Sequence, residues 1–364
     1  MEKLYKVDKI VGKGFGWIAL KNIKVGTMIC KEKPQFFPEK IPKELDPPSI
    51  HFSNLMNTFF AMSKENQKEF LELSNAYYDP NSLNDEAKKL YFGWKNDTEN
   101  QTQFDSHLLL KIICICQTNR FGDGFGEICI KISRINHSCC SNSDYFTNDD
   151  GEMEIRATSK ILEGQEITIN YAGTNRAIYP PRCGTNDMKK LKERKHGFQI
   201  YGFVCSCDLC QNEEINNDNE TYDKFQNLKK EAEAIFSNFI SLAKQDSHLE
   251  QYDKLVKAIA CQKEMYNLAK KKKAPKLFIL RHIIEKAFMQ GVTGYEFASL
   301  DFSCFQKNYD KMEYFKSECE KLSMVGYQIA KMCYGREGKM AKEWKERNQD
   351  FENWCKTFLK SQRK

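Results

Sequence analysis

No run of this chain is long and apolar enough to span a bilayer. Its most apolar stretch, Leu108 to Cys116, is short and broken by Lys111, whereas a spanning helix needs about 20 apolar residues. Nor does the chain open on a secretory leader, because Met1 to Ile10 alternates charged with apolar residues and reads as a strand. An excess of either charge is also lacking. Lys and Arg number 56 against 50 Asp and Glu, and the small surplus is spread along the chain, which permits an acidic partner without demanding nucleic acid. The one concentrated run, Lys270 to Lys273, is expected to be a solvated loop between helices ahead of Pro275, with a nuclear import signal as the alternative. These absences point to the cytoplasm or the nucleus, with no membrane association, no direct nucleic-acid binding, and a monomer.

Cysteine, by contrast, is plentiful. Fifteen cysteines is a high and odd number, and in a reducing compartment they are not expected as disulfides. Metal ligation and buried thiols remain. The chain has 364 residues, 41% hydrophobic and 29% charged. Those are globular proportions, and the length suffices for one large domain or two ordinary ones.

Along the chain, short strands joined by glycine turns occupy the first forty residues, punctuated by Gly12, Gly14, Gly16 and Gly26. Pro34, Pro38, Pro42, Pro47 and Pro48 then mark a linker. Apolar residues recur at helical spacing from Phe52 to Phe60, a second helix runs through Phe70 to Leu73, and a third covers Leu108 to Cys116. Strand character returns at Ile128 to Ile132, Met153 to Ala157 and Ile167 to Tyr171, with Asn148 to Gly151 as a hairpin loop. Beyond Cys210 the pattern is helical to the end. One stripe runs Phe225, Leu228, Ala232, Ile235, Phe236, Phe239 and another Leu280, Ile283, Ile284, Ala287, Phe288. Four to seven helices are expected there, stacked as helical hairpins.

Three separated segments carry chemistry. Gly12-Lys13-Gly14-Phe15-Gly16 lets backbone approach a ligand without side chains in the way, or is a plain turn between strands. It is not a phosphate loop, since no Lys-Ser/Thr pair closes it. Ser133-Arg134-Ile135-Asn136-His137-Ser138-Cys139-Cys140-Ser141-Asn142 is dense in polar groups after an apolar run, costly to bury unless a ligand or a network satisfies them. A surface turn is the alternative. In Tyr201-Gly202-Phe203-Val204-Cys205-Ser206-Cys207-Asp208-Leu209-Cys210, three cysteines in C-x-C-x-x-C spacing can face one metal, and a closed zinc site wants a fourth ligand from elsewhere.

Together these segments resemble the SET-domain protein lysine methyltransferases. The shared features are Gly14-Phe15-Gly16, the Asn136-His137-Ser138-Cys139 run, Glu166-Ile167-Thr168-Ile169-Asn170-Tyr171 and the Cys205, Cys207, Cys210 tail, in the family's order. The SMYD branch is the most similar, through Asn119-Arg120-Phe121 ahead of the Asn-His-Ser-Cys run and a helical C-terminal part. Two features depart from it. Between Cys30 and Cys114 there is no cysteine and only His51 and His107, so the MYND zinc finger is absent, and Ser141 stands where the family has proline.

The resemblance implies an α+β fold: a SET β-fold in two parts (1–46 and 119–180) around a helical insertion (47–118), a zinc-bound post-SET segment (181–212) and an all-α, tetratricopeptide-like C-terminal domain (213–364). It implies transfer of a methyl group from S-adenosylmethionine to a lysine amine of a protein substrate, with cofactor contacts from Lys13, Gly14, Phe15, Asn119, Asn136, His137, Tyr171 and Phe203. Tyr171 and Tyr201 would be catalytic, with Ser133 and Tyr201 lining the lysine channel. One structural Zn2+ would join Cys139 to Cys205, Cys207 and Cys210. Cys140, Cys114 and Cys116 are expected as buried thiols, and Cys183 and His196 as loop residues. Two readings compete: a SET-fold scaffold that binds partners through its helices, and a zinc-dependent nucleic-acid binder, for which no basic recognition helix follows the cysteines.

Overall fold

The structure, a computed structural model, describes residues 3–38, 48–74, 81, 83, 85–96, 105–121, 127–148, 150–171, 201–211, 220–242, 249–271, 279–300, 305–336 and 338–361. It is α+β. Strands β1 (Tyr5–Ile10) and β2 (Gly14–Ala19) form an antiparallel hairpin, with Tyr5 opposite Ala19 and Ile10 opposite Gly14. β3 (Met28–Glu32) follows, and after a helical excursion come β4 (Asn136–His137), β5 (Ser143–Thr147), β6 (Met153–Ala157) and β7 (Glu166–Ile169). They make two small sheets, ordered β1-β2-β7-β4 and β3-β6-β5. Trp17, Ile155, Ile161 and Ile167 are fully buried among them.

The central place of β7 sets up everything functional. It pairs antiparallel with β2 on one side, Ile18 opposite Glu166, and parallel with β4 on the other, Asn136 opposite Thr168. The glycine hairpin and the Asn136-His137 strand are thereby held on either side of one strand. Gly16 sits where a side chain could not: a Cβ there would lie 2.5 Å from Asn136 Nδ2.

The excursion contains α1 (Pro48–Ala61), α2 (Lys64–Leu71), α3 (Asp85–Lys95) and α4 (Ser106–Asn119). Proline opens α1, where its missing N–H costs nothing. Ser63 caps α2 by accepting from Asn66 N, and Asp105 caps α4 by accepting from His107 N. Helix α4 is the hub, burying Leu109, Leu110, Ile112 and Ile113 with Cys114, Ile115 and Cys116. Helix α3 is an addition to the three helices expected in this region. Its buried seam is only Ala87 and Tyr91, with Leu83 just ahead, too short a stripe to stand out in sequence.

Ile128 to Ile132 is not the strand its composition suggests. Ile128 bridges Phe36 singly, and Ile132–Arg134 is a 3-10 turn. Side chains displace the ladder there. Glu32 accepts from Lys131 N at 3.0 Å and Ile132 N at 2.9 Å, and Gln35 Oε1 accepts from Ile130 N at 3.0 Å. The Asn148 to Gly151 loop does close the β5–β6 hairpin, with Asn148 Oδ1 accepting from the backbone of Asp150 and Glu152.

The C-terminal part contains α5 (Glu220–Leu242), α6 (Leu249–Lys271), a π-helical turn (Leu280–Ile284) running into α7 (Glu285–Leu300), α8 (Phe305–Tyr334) and α9 (Lys339–Ser361). Successive helices pack side by side. The stripes supply their core: Phe225, Ala232, Phe239, Leu280, Ile283, Ile284, Ala287 and Phe288 are buried, with Leu228 and Phe236 against them. Lys270 and Lys271 belong to the last turn of α6, where positive charge suits the carbonyl end. Among the described residues no helix is long and apolar enough to cross a membrane.

The helical part rests on the β5–β6 hairpin through the end of α8. Tyr334 packs on Phe146 at 4.8 Å between ring centroids. Arg156, held by Glu154 and by Gly26 O, lies against Gly335, whose φ is +77°.

Candidate active site

A cavity of about 500 Å³ opens where the glycine hairpin, β4, the end of β7 and the cysteine tail meet. Lys13, Gly14, Phe15, Asn119, Ser133, Asn136, His137, Tyr171, Tyr201, Phe203, Cys205 and Cys207 all line it. Of the residues singled out in sequence, only Cys139 and Cys210 stand behind the wall, in the cysteine cluster. The wall also takes Glu72, Leu73 and Ser74 from the end of α2, together with Arg120 and Tyr145. Arg120 falls inside the Asn119-Arg120-Phe121 run, but the others were not legible, since they come from the insertion and from a core strand and carry no motif.

Each polar group has a definite task. Asn136 Nδ2 donates to Phe15 O at 3.2 Å and to Glu166 Oε1 at 3.0 Å, and Lys13 Nζ pairs with Glu166 Oε2 at 2.6 Å. Glu166 therefore ties the hairpin to β4 across the cavity rim. Asn119 points into the protein, donating to Ser74 O and Ile115 O, while its own carbonyl accepts from Ser133 Oγ. The bonds with Ser74 and Ser133 join the end of α4 to the cavity wall on either side. What Asn119 offers a ligand is then backbone rather than its amide nitrogen.

Tyr171 is anchored at both ends. Its hydroxyl donates to Ile135 O at 2.7 Å, and its backbone N–H donates to His137 Nδ1 at 3.0 Å. Burial pushes its phenol above the ordinary range, with Tyr201 beside it adding to the shift, so the hydroxyl stays neutral. Tyr201 and Phe203 complete an aromatic lining, at 5.1 and 6.1 Å from the Tyr171 ring.

Behind Phe203 the sulfurs of Cys139, Cys205, Cys207 and Cys210 lie within 4.8 Å of one another. Cys139 stands 3.9 Å from Cys205 and 3.5 Å from Cys210. Tetrahedral zinc with bonds of about 2.3 Å spaces its sulfurs by roughly 3.8 Å, so these residues fit that ion. The thiols do not share one acidity. Hydrogen bonding from Cys139 holds Cys205 down at about 4 and lowers Cys207 as well, while bonding to Cys205 pushes Cys139 up. Binding a divalent cation would require the protonated thiols to give up their protons, which makes occupancy of the site dependent on pH. Cys140 is half-buried at its edge, 3.4 Å from Ser138 Oγ, and Cys114 and Cys116 are buried in α4. Cys183 and His196 lie outside the described residues.

The profile of the SET domain family matches residues 14–172. A SET domain-containing protein of Acanthamoeba polyphaga mimivirus is 28% identical over 246 residues, 63% of this chain and 84% of that protein. A histone-lysine N-methyltransferase of Schizosaccharomyces pombe is 25% identical over 213 residues, 58% of this chain and 52% of that protein. A SET and MYND domain-containing protein of Dictyostelium discoideum is 35% identical over 81 residues, 22% of this chain and 20% of that protein. The chain thus spans about half the length of the yeast relative and a fifth of the last.

Proposed function

The chain carries a SET domain over residues 14–172, and on that premise we propose that it is an S-adenosylmethionine-dependent protein lysine methyltransferase acting on a histone or non-histone protein. One observation carries the reading. The neutral Tyr171 hydroxyl stands in a single cavity with the glycine hairpin, the Asn136-His137 strand and the aromatic tail. A volume of about 500 Å³ lies in the range of small-molecule sites. The histone-lysine N-methyltransferase among the relatives supports the same chemistry.

The methyl donor, when bound, supplies an electrophilic methyl on a positively charged sulfur. The lysine nitrogen forms its new bond to that carbon as the carbon–sulfur bond breaks, and the surplus amine proton passes to solvent. Little acid–base force is needed, so the residues align the reactants and keep the amine unprotonated. Lys13, Phe15 and Asn136 would hold the donor at the rim, and Phe203 would offer its adenine a flat apolar face. The Tyr171 oxygen donates its proton to Ile135 O, which leaves lone pairs for C–H contacts from the methyl. Tyr201 and Tyr171 wall an aromatic, poorly hydrated path that lowers the pKa of an entering lysine, with Ser133 nearby. Cys139, Cys205, Cys207 and Cys210 would hold a zinc ion, which would tie the tail to the segment after β4 and keep Phe203 and Tyr201 over the cavity.

The test is incubation with methyl-labelled S-adenosylmethionine and histones, a lysine peptide array or cell lysate, read by mass spectrometry of lysine. Labelled lysine is expected. A folded protein that binds the donor yet labels no lysine in any of these would favour the scaffold reading.

A further inference from the structure

We infer that His137 is a positioning residue that couples the four-cysteine site to Tyr171, its imidazole spanning the gap between Cys139 Sγ and the Tyr171 backbone. The inference rests on the proposed role of Tyr171. His137 Nδ1 accepts the Tyr171 N–H at 3.0 Å, so in the neutral ring the proton sits on Nε2. That nitrogen stands 3.3 Å from Cys139 Sγ and donates to it. The ring is 4% exposed and wedged between Tyr171 at 5.3 Å and Phe203 at 5.9 Å.

The strand register explains why this bond matters. In the parallel β4–β7 pair His137 lies opposite Ile169, and Ser138 N donates to Ile169 O. β7 ends there, so it does not fix the Tyr171 N–H two residues on. The imidazole takes over and holds the backbone where the ladder stops. Its hold depends on the sulfur, because a metal-bound thiolate is a good acceptor for Nε2–H and a free thiol a weak one. Loading the cysteine site therefore orients the ring, and the ring orients Tyr171. On this view the cluster acts on the site by two routes: through Tyr201 and Phe203 in the tail, and through His137.

Two substitutions separate the ends of the relay. His137→Asn places an acceptor where Nδ1 is but no donor near the sulfur, and His137→Gln places a donor near the sulfur but no acceptor for Tyr171. The protein would be 15N-tyrosine labelled and zinc-loaded, the Tyr171 amide assigned by its loss in Tyr171→Phe, and the metal then stripped with a chelator. The expected results are a Tyr171 amide that shifts on stripping in wild type and shifts much less in both variants, whose tails are released equally. Zinc affinity should fall about 10- to 100-fold in His137→Asn and stay within a few-fold in His137→Gln. Equal stripping shifts in all three proteins, or equal losses of zinc affinity in the two variants, would make His137 a core filler and overturn the coupling. If neither variant folds, the wild type decides, since a Tyr171 amide indifferent to stripping ends the inference. A coupled amide in a protein that labels no lysine would retain the relay and sink the proposed activity instead.

Discussion

At the scale of single residues, the Tyr171 hydroxyl and the Asn136 amide do different work and should fail differently. Tyr171→Phe keeps the ring that packs on His137 and Tyr201, so donor affinity should stay within a few-fold of wild type. Methyl transfer should fall at least about ten-fold, near 1.4 kcal/mol of barrier. Single-turnover assays alongside calorimetry would check this, and full activity in the variant would remove Tyr171 from the reaction. Asn136→Ala instead cuts the link between Phe15 O and Glu166. Donor binding is expected to weaken by about 1–3 kcal/mol, since the hairpin loses its tie to β4 at the cavity rim, and unchanged affinity in calorimetry would contradict it. Asn136 could be found in the sequence because it sits in a dense polar run, and Tyr171, at the end of an alternating strand, only through the resemblance. Glu72 and Tyr145, which also line the cavity, could not. They reach it through the path of the backbone, which no local pattern records.

At the scale of elements, periodicity gave β6, β7 and the hub helix α4, where one or both faces are buried and the spacing is unambiguous. It failed at Ile128 to Ile132, where a buried carboxylate from β3 satisfies two backbone N–H groups and so replaces a strand by a turn. Such a substitution depends on a residue about 100 positions away and leaves no trace in the local pattern. It does make a test. Glu32→Ala strands those two N–H groups, and the protein should lose about 2–3 kcal/mol in denaturant melts. Trp17 fluorescence should shift red as well, because Trp17 Nε1 donates to Lys131 O in the same turn. A melt within 0.5 kcal/mol of wild type, roughly the effect of a surface change, would show that the turn holds without the carboxylate.

At the scale of the whole molecule, the helical part and the SET domain meet at a joint made by Tyr334, Phe146, Arg156 and Gly335. Gly335 is in the left-handed region, and a Cβ would lie 2.9 Å from the Arg156 guanidinium. Gly335→Ala should cost about 1–2 kcal/mol from the backbone alone. It should cost less in an Arg156→Ala background, where the clash is gone, and a double-mutant cycle of denaturant melts would show the difference. Equal costs in both backgrounds would mean that the joint is not tight there. The sheet order has a consequence of another kind, for the chain as it is being made. Lys13 on the hairpin and Glu166 on β7 are 153 residues apart, and β2 has no partner on its inner edge until β7 arrives. At the usual pace of synthesis, about 5–20 residues per second, the hairpin waits roughly 8–30 s beside the ribosome with Trp17 uncovered. A lone two-stranded hairpin is barely stable in water, so during that interval it is a ligand for whatever chaperone attends the exit tunnel. The cavity wall that would grip the methyl donor, begun at Gly12, is not complete until residues as far along as Cys207 have been made.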